Sequence, residues 1–410
     1  MTETLPTPQL DVPDFPMART SGCPFDPPSQ LRTLQKEKPL SRVRLWDGST
    51  PWLVTRHDQL RTLLGDPRLS SDATLPGYPH RSAGSKAGEA HRRTFITMDD
   101  PEHARIRRMV TAPFAIRRME ALRPAVQTIV DDLIDALLAG PRPADLVQAF
   151  ALPVPSLVIC ALLGVPYEDH DFFQRNTKVI VHHASAPEAV VQALEDLTDY
   201  LDELLDTKRA HPGADDLLSR LLAERVDTGG MTQRDAARMG VLLLGAGHET
   251  TANMIALGTL ALLEHPDQLA ALRAAEDPKP VAGAVEELLR YLTITHSGRR
   301  RVALADIEID GATIRAGDGV ILTGDAANRD PAAFPDPDRL DITRDARRHV
   351  AFGFGVHQCL GQPLARLELQ VVYSTLYRRI PTLSLATDTD RLRFKHDGAV
   401  YGVYELPVTW

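Results

Sequence analysis

The chain has 410 residues, of which 43% are hydrophobic, and it carries a formal net charge of −9. A chain of this length can bury a large core, and its acidic balance argues against a general nucleic-acid-binding protein. Its three cysteines, at positions 23, 160 and 359, are too few and too uneven in number for a disulfide scaffold. They suit a reducing compartment, so we expect a cytoplasmic protein.

The amino-terminal stretch, MTETLPTPQLDVPDFPMART, is polar and rich in proline. It has neither the basic-then-apolar order of a signal peptide nor an apolar span long enough to cross a bilayer. We therefore expect no membrane anchor. Farther along, proline and glycine are spread without a Ser/Gly tract, a repeat or a long charge run, so no linker divides the chain.

Residues 42–55 alternate apolar and polar positions around Asp47-Gly48, which predicts a β-hairpin, and residues 57–64 return to helical spacing. Residues 70–93 are rich in Gly, Pro, Ser and basic residues and show little periodicity. Irregular segments of this length in compact domains are usually functional lids or disordered. This stretch is therefore either a lid or a mobile surface loop.

The segment MDDPEHARIRRMV, residues 98–110, begins a helix, with Pro101 in the first turn. His103 and Arg107 are four residues apart and share one helix face. Two donors on one face suit a carboxylate through charge-assisted hydrogen bonds. A solvated charged face is the ordinary alternative.

Residues 119–163 and 167–223 alternate helical patterns with breaks at proline. Cys160 lies in an apolar run of the first stretch and is typical of a core position. The second stretch predicts amphipathic helices joined near Ala186-Pro187 and near His211-Pro212-Gly213.

Residues 232–264 form the longest helical pattern, which at 1.5 Å per residue would span on the order of 50 Å. Thr232, followed three residues later by Asp235, indicates a capped start. The flanking stretches VLLLGA and ANMIALGTLALL are apolar on all sides, as in a fully buried helix. A membrane helix is excluded because the polar run HETT, residues 248–251, falls in the middle, where charge is most costly.

Glycines and threonines in the middle of this helix weaken it, since threonine hydroxyls can take over main-chain carbonyls. We expect them to open the hydrogen-bond ladder locally and leave a polar notch. His248-Glu249 does not begin the helix motif of zinc proteases, because the second histidine of that motif would be at position 252, which is Ala.

The second half of the chain predicts a helix at AVEELLRYL, residues 284–292, with Glu287 and Arg290 on one face. An exposed salt bridge is the default interpretation of that pair. Residues 301–322 contain IEIDGATI and GVIL, with Asp310-Gly311 as a second hairpin turn.

The stretch HVAFGFGVHQCLGQPLA, residues 349–365, places one thiol, Cys359, in a turn with Gly353, Gly355 and Gly361. Glycines at this density let the backbone bend sharply and approach a flat ligand. A cysteine just before a helix has amide groups and the positive end of the helix dipole near its sulfur, which favours the thiolate. Such a thiolate is a good axial ligand for haem iron. A buried structural cysteine is the alternative.

This loop resembles the haem-binding loop of the cytochrome P450 family, whose pattern Phe-Gly-x-Gly-x-His-x-Cys-x-Gly is matched at Phe352, Gly353, Gly355, His357, Cys359 and Gly361. The resemblance runs nearly end to end. It implies a mainly α fold with a small β region, a single domain spanning residues 1–410, and a long central helix over the haem.

The resemblance also implies the cofactors and partners. Haem b would be bound, and electrons from NAD(P)H would arrive through a ferredoxin reductase and an acidic ferredoxin, since the chain is too short for a fused flavin reductase. Dioxygen and a small apolar molecule would be the substrates, with no nucleic acid or membrane as partner. Arg344, Arg347 and Arg348 would form a basic patch that docks the ferredoxin.

The resemblance assigns roles to individual residues. Cys359 would be the axial ligand of the iron. The run Ala246-Gly247-His248-Glu249-Thr250 matches the family's polar notch, so Thr250 would deliver protons for dioxygen activation and Glu249 would be the acid behind it. The implied propionate partners are His103, Arg107, Arg301 and His357, although Arg299 and Arg300 adjoin Arg301 and that assignment can shift by one or two residues.

Phe352, Gly353 and Ala246 would also contact the cofactor. The residues implied for the substrate pocket are Ile96, Leu243, Ala246, Ile294, Thr295 and Val400. Glu287, Arg290 and Arg339 would form a structural clamp that holds the cysteine loop. In the family, residues 70–93 cover the substrate, so we expect a mobile lid there.

The motifs GCPFDPP, WDGS and YLTITHSG resemble an actinomycete subfamily that hydroxylates macrolides, vitamin D, statins and xenobiotics. We therefore expect a haem monooxygenase that hydroxylates a bulky apolar molecule whose identity the motifs do not specify. Two alternatives remain. A haem-thiolate sensor would not need Glu249 and Thr250, and a peroxide-driven oxygenase usually lacks that pair.

Overall fold

The computed structural model describes residues 12–19 and 23–410, and within them the chain forms fifteen α-helices and ten β-strands. The helices are α1 (Ser29–Glu37), α2 (His57–Leu64), α3 (Ala83–His91), α4 (Glu102–Thr111), α5 (Ile116–Ala121), α6 (Arg123–Ala139), α7 (Pro153–Leu163), α8 (His170–Val181), α9 (Pro187–Ala210), α10 (Leu217–Leu221), α11 (Gln233–Glu264), α12 (Pro266–Arg273), α13 (Pro278–Leu292), α14 (Gly324–Ala327) and α15 (Gln362–Arg379).

The strands are short. They are β1 (Leu40–Arg42), β2 (Trp52–Val54), β3 (Leu69–Ser70), β4 (Ala144–Asp145), β5 (Arg299–Ala303), β6 (Ile307–Ile309), β7 (Ala312–Ile314), β8 (Gly319–Leu322), β9 (Ser384–Leu385) and β10 (Pro407–Thr409). Single turns of 3-10 or π-helix cover Phe95–Thr97, Ala112–Phe114, Val147–Ala151, Tyr167–Asp169, Leu222–Val226, Gly355–His357 and Thr389–Arg391. The prediction of a mainly α fold with a small β region is confirmed.

The largest sheet has five strands in the order β1-β2-β8-β5-β3. Its β1–β2 pair is the predicted first hairpin, with Leu40 opposite Val54. Strand β8 pairs parallel to β2 and antiparallel to β5, and it places Arg299 opposite Leu322 and Arg301 opposite Val320. The second predicted hairpin is β6–β7, and its turn residues Asp310 and Gly311 both have positive φ. Strand β10 joins β4 and β9 in a third sheet.

Helix α11 is the centre of the molecule and packs against α7, α9, α13 and α15. The hydroxyl of Thr232 accepts a hydrogen bond from the main-chain N–H of Asp235, so the predicted capped start is confirmed. Every residue from Thr251 to Leu262 is buried, as expected for a helix that is apolar on all sides. The expected opening of the ladder is not seen, because the helix runs unbroken from Gln233 to Glu264.

The stretch 70–93 is not the irregular loop that its composition predicts, since α3 occupies its second half. Glycine is a poor helix former, but here it serves close packing against α9. A Cβ on Gly88 would lie 3.0 Å from Val190 Cγ1, and one on Gly84 would lie 2.8 Å from the carbonyl oxygen of Ser185. We call residues 70–93 the lid segment.

The breaks predicted near Ala186-Pro187 and His211-Pro212-Gly213 are the junctions that separate α8, α9 and α10. Cys160 is buried in the main core, as predicted. Residues 1–11, on which much of the signal-peptide prediction rests, and Gly22 of GCPFDPP lie outside the described residues. Among the described helices, none combines the length and apolarity that crossing a bilayer requires.

Candidate functional site

The cysteine loop, residues 349–361, owes its shape to glycine. Gly353 and Gly355 have φ of 77° and 74°, a conformation that other residues rarely adopt. A Cβ on Gly355 would also lie 2.6 Å from the carbonyl oxygen of Leu64. A Cβ on Gly361 would meet no atom within 4 Å, so the loop leaves open space there for a close ligand.

Cys359 is fixed at the end of this loop by a 2.8 Å hydrogen bond from its main-chain N–H to the carbonyl of Phe352, and α15 begins three residues later. Burial raises the pKa of the Cys359 thiol, while the Gly361 N–H and the charges of Arg299, Arg107 and Arg366 act in the opposite direction. The Gly361 N–H therefore acts on the sulfur in the expected direction, but it does not outweigh burial. A metal cation bonded to the sulfur would favour the thiolate, because coordination deprotonates a thiol.

A cavity of about 320 Å³ opens above Cys359. Helix α11 forms one wall through Ala246, Gly247, Thr250 and Thr251, and the cysteine loop and α15 form the other. Five of the residues that the resemblance implies for the pocket line this cavity: Ile96, Leu243, Ala246, Ile294 and Thr295. The shape and lining suit a flat apolar group with a small molecule beside it.

Val400, the sixth residue implied for the pocket, does not line this cavity. It lines a second cavity, of about 280 Å³, together with His248, Glu249 and Lys395. The separation follows from helix geometry, since successive residues of α11 are turned by about 100°. Thr250 therefore faces the first cavity and Glu249 the second, so the two predicted proton-transfer residues stand on different faces of one helix.

Thr250 Oγ1 donates a 2.7 Å hydrogen bond to the carbonyl of Ala246, which anchors its hydroxyl at the cavity wall. Glu249 Oε1 accepts hydrogen bonds from Lys395 Nζ at 2.8 Å and from Asn253 Nδ2 at 2.9 Å. Burial acts to raise the pKa of Glu249, but the charge and hydrogen bond of Lys395 outweigh it and lower the pKa. Glu249 is therefore a carboxylate that can accept a proton.

Unpaired donors gather at one edge of the first cavity. The rings of His103 and His357 lie 4.1 Å apart. In the part of the chain that the structure describes, His103 Nε2, His357 Nδ1 and one terminal nitrogen of Arg299 are buried without a hydrogen-bond partner. Arg107 donates to the carbonyl of Gln358 and also lines the cavity.

Of the three consecutive arginines in β5, Arg299 is the one that lines the cavity, where its guanidinium donates to the carbonyl of Ala351 at 2.7 Å. Arg301 lies on the same face of the strand, two residues along. Burial, followed by the charges of Arg301, His103 and Arg107, lowers the pKa of His357 to about 3. The charge of Arg301 therefore reaches His357, and Arg299 adds a guanidinium to the predicted donors.

These donors fit the haem group that the loop implies. The carboxylates of a haem would supply the partners that the buried imidazole and guanidinium nitrogens lack. Phe352 lines the cavity beside Cys359. Gly353 lies behind the wall, where a Cβ would stand 3.0 Å from Arg299 Nε.

Glu368, on α15, also lines the cavity, although no motif in the sequence points to it. It is 1% exposed, its Oε2 has no partner among the described residues, and burial raises its pKa to about 8. It is therefore a neutral acid at pH 7. Helical spacing could have revealed it, since Leu364 and Val372, four residues to either side, are both buried.

The clamp differs from the prediction in one member. Arg290 binds Glu287 through two hydrogen bonds of 2.7 and 2.8 Å, and both side chains are fully buried. The third basic side chain is Arg344, whose Nε lies 3.1 Å from Glu287 Oε1. Arg339 is exposed and contributes only its carbonyl, which accepts from Arg290. Four residues lie between the two arginines, and the turn that they form brings Arg344 inward.

The position of Arg344 in the clamp also changes the predicted basic patch. The Arg344 side chain is only 11% exposed because it belongs to the clamp. Arg347 is exposed but pairs with Asp345 at 2.6 Å, and Arg348 is exposed. Two of the three predicted arginines therefore remain at the surface.

The clamp assignment predicts unequal effects of two similar substitutions. Arg344→Met should lower the free energy of unfolding by about 1.5–3 kcal/mol, since a hydrogen bond to a buried charged group is lost. Arg339→Met should change it by less than about 0.5 kcal/mol, because it alters an exposed side chain. Urea denaturation followed by circular dichroism measures both, and equal effects would contradict the assignment.

The raised pKa of Glu368 predicts a pH dependence of stability. From its ordinary value of 4.5 up to about 8, the folded state keeps a proton that the unfolded state has lost, so stability falls as the pH rises. Relative to Glu368→Gln, the wild type should lose roughly 2–3 kcal/mol between pH 5 and pH 7. Urea midpoints at each pH measure the difference. Glu276→Gln, at an exposed position, is the control, and a pH-independent difference for Glu368→Gln would contradict the assignment.

Comparison with known proteins agrees with this geometry. The model of the family described as Cytochrome P450 matches residues 27–277 and 281–395. The chain is 59% identical to cytochrome P450 GfsF of Streptomyces halstedii, over 98% of this chain and 97% of that protein. It is 48% identical to the vitamin D3 dihydroxylase of Streptomyces griseolus, over the whole of both chains.

Solved structures of similar proteins also match this chain over nearly its whole length. The crystal structure of GfsF superposes with a TM-score of 0.91 and covers 97% of this chain and 100% of that one, at 58% identity. The structure of the mycinamicin VIII C21 methyl hydroxylase MycCI from Micromonospora griseorubida also has a TM-score of 0.91, with the same coverage, at 43% identity. This chain therefore belongs to the cytochrome P450 family of haem monooxygenases, and it groups with the actinomycete members of that family.

Proposed function

We propose that this chain, as a single domain spanning residues 1–410, hydroxylates a bulky apolar small molecule in the cytoplasm. It would use dioxygen and electrons from NAD(P)H, which a ferredoxin reductase and an acidic ferredoxin deliver. The observation that carries the proposal is the pairing of Cys359 and Thr250 across one largely apolar cavity of about 320 Å³. Three free cysteines suit the cytoplasm, and the main core cluster, whose members run from Phe25 to Val408, suits a single domain.

The cofactor would be held from two sides. Cys359 would bind the iron, while His103, Arg107, Arg301 and His357 would bind the propionates, with Arg299 as an additional donor. Haem b in this site would supply the redox centre for dioxygen cleavage, which electron donation from a thiolate promotes. A hydrogen bond fixes the Cys359 main chain, and the Gly361 N–H moderates the charge on its sulfur.

Proton transfer would use both faces of α11. Glu249 faces the second cavity, where Lys395 holds it as a carboxylate. After release from Lys395, Glu249 would accept a proton from that cavity and pass it around the helix to the Thr250 hydroxyl or to a water beside it. Asn253 donates to both the side chain and the main-chain carbonyl of Glu249, which limits the movement of the carboxylate.

The substrate would lie against the apolar wall above Cys359, formed by Leu243, Ile294 and neighbouring residues. Two of the similar proteins are named for the hydroxylation of vitamin D3 and of mycinamicin VIII, which supports a bulky small molecule. For the ferredoxin, exposed arginines on α5, Arg117 and Arg118, add to Arg347 and Arg348, and α5 packs against α15. Positive charge there suits an acidic partner.

The test begins with a compound screen in which displacement of the iron's water ligand is detected as a Soret shift. A compound that binds is then incubated with ferredoxin, its reductase and NADPH. Thr250→Ala should lower product formation by roughly ten- to a hundredfold while NADPH oxidation continues and hydrogen peroxide is released. Thr250→Ser retains a hydroxyl and is the matched control.

Three outcomes would contradict the proposal. Unchanged product formation by Thr250→Ala would remove that residue from proton transfer. Oxidation with added peroxide but never with the reductase system would identify a peroxide-driven oxygenase. Binding without oxidation under either condition would identify a sensor.

A further inference from the structure

Arg300, the middle arginine of β5, is a buried cation without a partner. It is 7% exposed, and its Nε is buried with no hydrogen-bond partner. Across residues 12–19 and 23–410, its side chain makes no hydrogen bond or ion pair. Burying an unpaired charge is unfavourable, so a protein that keeps one usually gains a function from it.

Other buried arginines of this chain show how the fold normally treats such a group. Arg290 has Glu287 and three carbonyls as acceptors. Arg329 binds Asp338 and the carbonyl of Tyr291. Arg299, which keeps an unpartnered terminal nitrogen, lines the cavity where a cofactor's carboxylates are expected. Arg19, Arg92 and Arg225 also keep unpartnered nitrogens, so the unpartnered Nε of Arg300 indicates an anion site only together with the groups around it.

Arg300 cannot serve that same cofactor. Side chains of successive strand residues point to opposite faces, so Arg300 points away from the cavity that Arg299 lines. The groups whose charges act most on Arg300 are Arg81, Tyr78 and Glu89, and all three belong to the lid segment. Val302, two residues along β5 and on the same face as Arg300, contacts the lid segment, since a Cβ on Gly77 would lie 3.5 Å from Val302 Cγ2. Arg300 therefore lies on the side of the sheet that the lid segment covers.

The loop between α8 and α9 is the third part of the chain that surrounds Arg300, beside the sheet and the lid segment. His183 belongs to this loop, and its Nε2 is buried without a partner in the described chain. Burial, followed by the charges of Arg81 and Arg300, lowers the pKa of His183 to about 4, so the ring is neutral and close to both arginines. The lid helix and the loop are in contact, since a Cβ on Gly84 would lie 2.8 Å from the carbonyl oxygen of Ser185.

Arg300 and the lid groups whose charges act most on it carry one positive charge in excess. Two guanidinium groups, Arg81 and Arg300, face one carboxylate, Glu89, which is already bound by His80 at 2.7 Å and lies 3.9 Å from Arg81. Burial raises the pKa of Tyr78 to about 12, so its phenol is neutral. The charge of Asp397 acts to raise the pKa of His183, but this carboxylate is already bound by His182 at 3.1 Å and by the Tyr404 hydroxyl at 2.6 Å. One excess charge suits a monoanion.

We propose that Arg300, with Arg81 and His183, forms a binding site for a carboxylate where the lid segment, the α8–α9 loop and β5 meet. The planar guanidinium of Arg300 would bind both carboxylate oxygens, and His183 Nε2 would donate a further hydrogen bond. The carboxylate can be the polar end of a substrate whose apolar part reaches the haem cavity, or a free small anion. The proposal concerns binding and does not depend on monooxygenase turnover.

The experiment compares decanoic acid, decanamide and acetate as ligands of the wild-type holoenzyme and of Arg300→Met, using thermal shifts and Soret titrations. The wild type should bind the acid at least about tenfold more tightly than the amide, and Arg300→Met should abolish this preference without weakening amide binding. A wild type that binds acid and amide equally, or an Arg300→Met variant that keeps the preference, would overturn the proposal. Stabilisation by acetate as strong as by decanoate identifies a free anion as the ligand, and stabilisation by decanoate alone identifies the end of a substrate.

Stability without ligand gives an independent readout. Removing an unpaired buried charge should leave Arg300→Met at least as thermally stable as the wild type. A marked loss of stability would show that the guanidinium is paired within the protein, and it would contradict the proposal. Arg81→Met should weaken the preference for the acid, whereas Arg175→Met, an exposed arginine at the second cavity, should leave it unchanged.

Discussion

The hydrogen bond from the Cys359 N–H to the carbonyl of Phe352 closes the loop on which the rest of the site depends. The positive φ of Gly353 and Gly355 makes that closure possible. The bond points the sulfur into a cavity whose opposite wall is the long helix α11. Burial raises the pKa of this thiol, which a bound metal cation would lower, and the surrounding fold offers space and unpaired donors that fit a haem.

Helix α11 separates the two cavities of the site. Thr250 faces the cavity above Cys359, and Glu249 faces a polar cavity behind the helix. Asn253 links this arrangement to the carboxy-terminal segment, since a Cβ on Gly402 would lie 1.7 Å from Asn253 Oδ1. The same segment brings Lys395 to Glu249, so the position of the acid depends on chain that is distant in sequence.

Local patterns predicted most of the fold. Turn residues such as Asp310-Gly311 and the capped start at Thr232 are encoded by adjacent residues, and both agree with the structure. Helix α3 was missed because glycine disfavours a helix in isolation, and only the packing of Gly88 against α9 explains it.

The motif predicted Cys359 and Thr250 at the cavity, but it did not predict the partners that come from elsewhere in the chain. Lys395 is 146 residues from Glu249, and no local pattern relates them. Arg344 rather than Arg339 reaches Glu287, because the course of the intervening turn decides which side chain points inward. Val400 was assigned from family position alone, and it faces the other cavity.

The most direct test of this account is the carbon monoxide spectrum of the purified, reduced protein. If Cys359 binds the iron as a thiolate, the Soret band of the complex is displaced to the red, as is typical of thiolate coordination, and Cys359→Ala loses that band. A complex without the displaced band, or a Cys359→Ala variant that keeps the wild-type spectrum, would contradict the account.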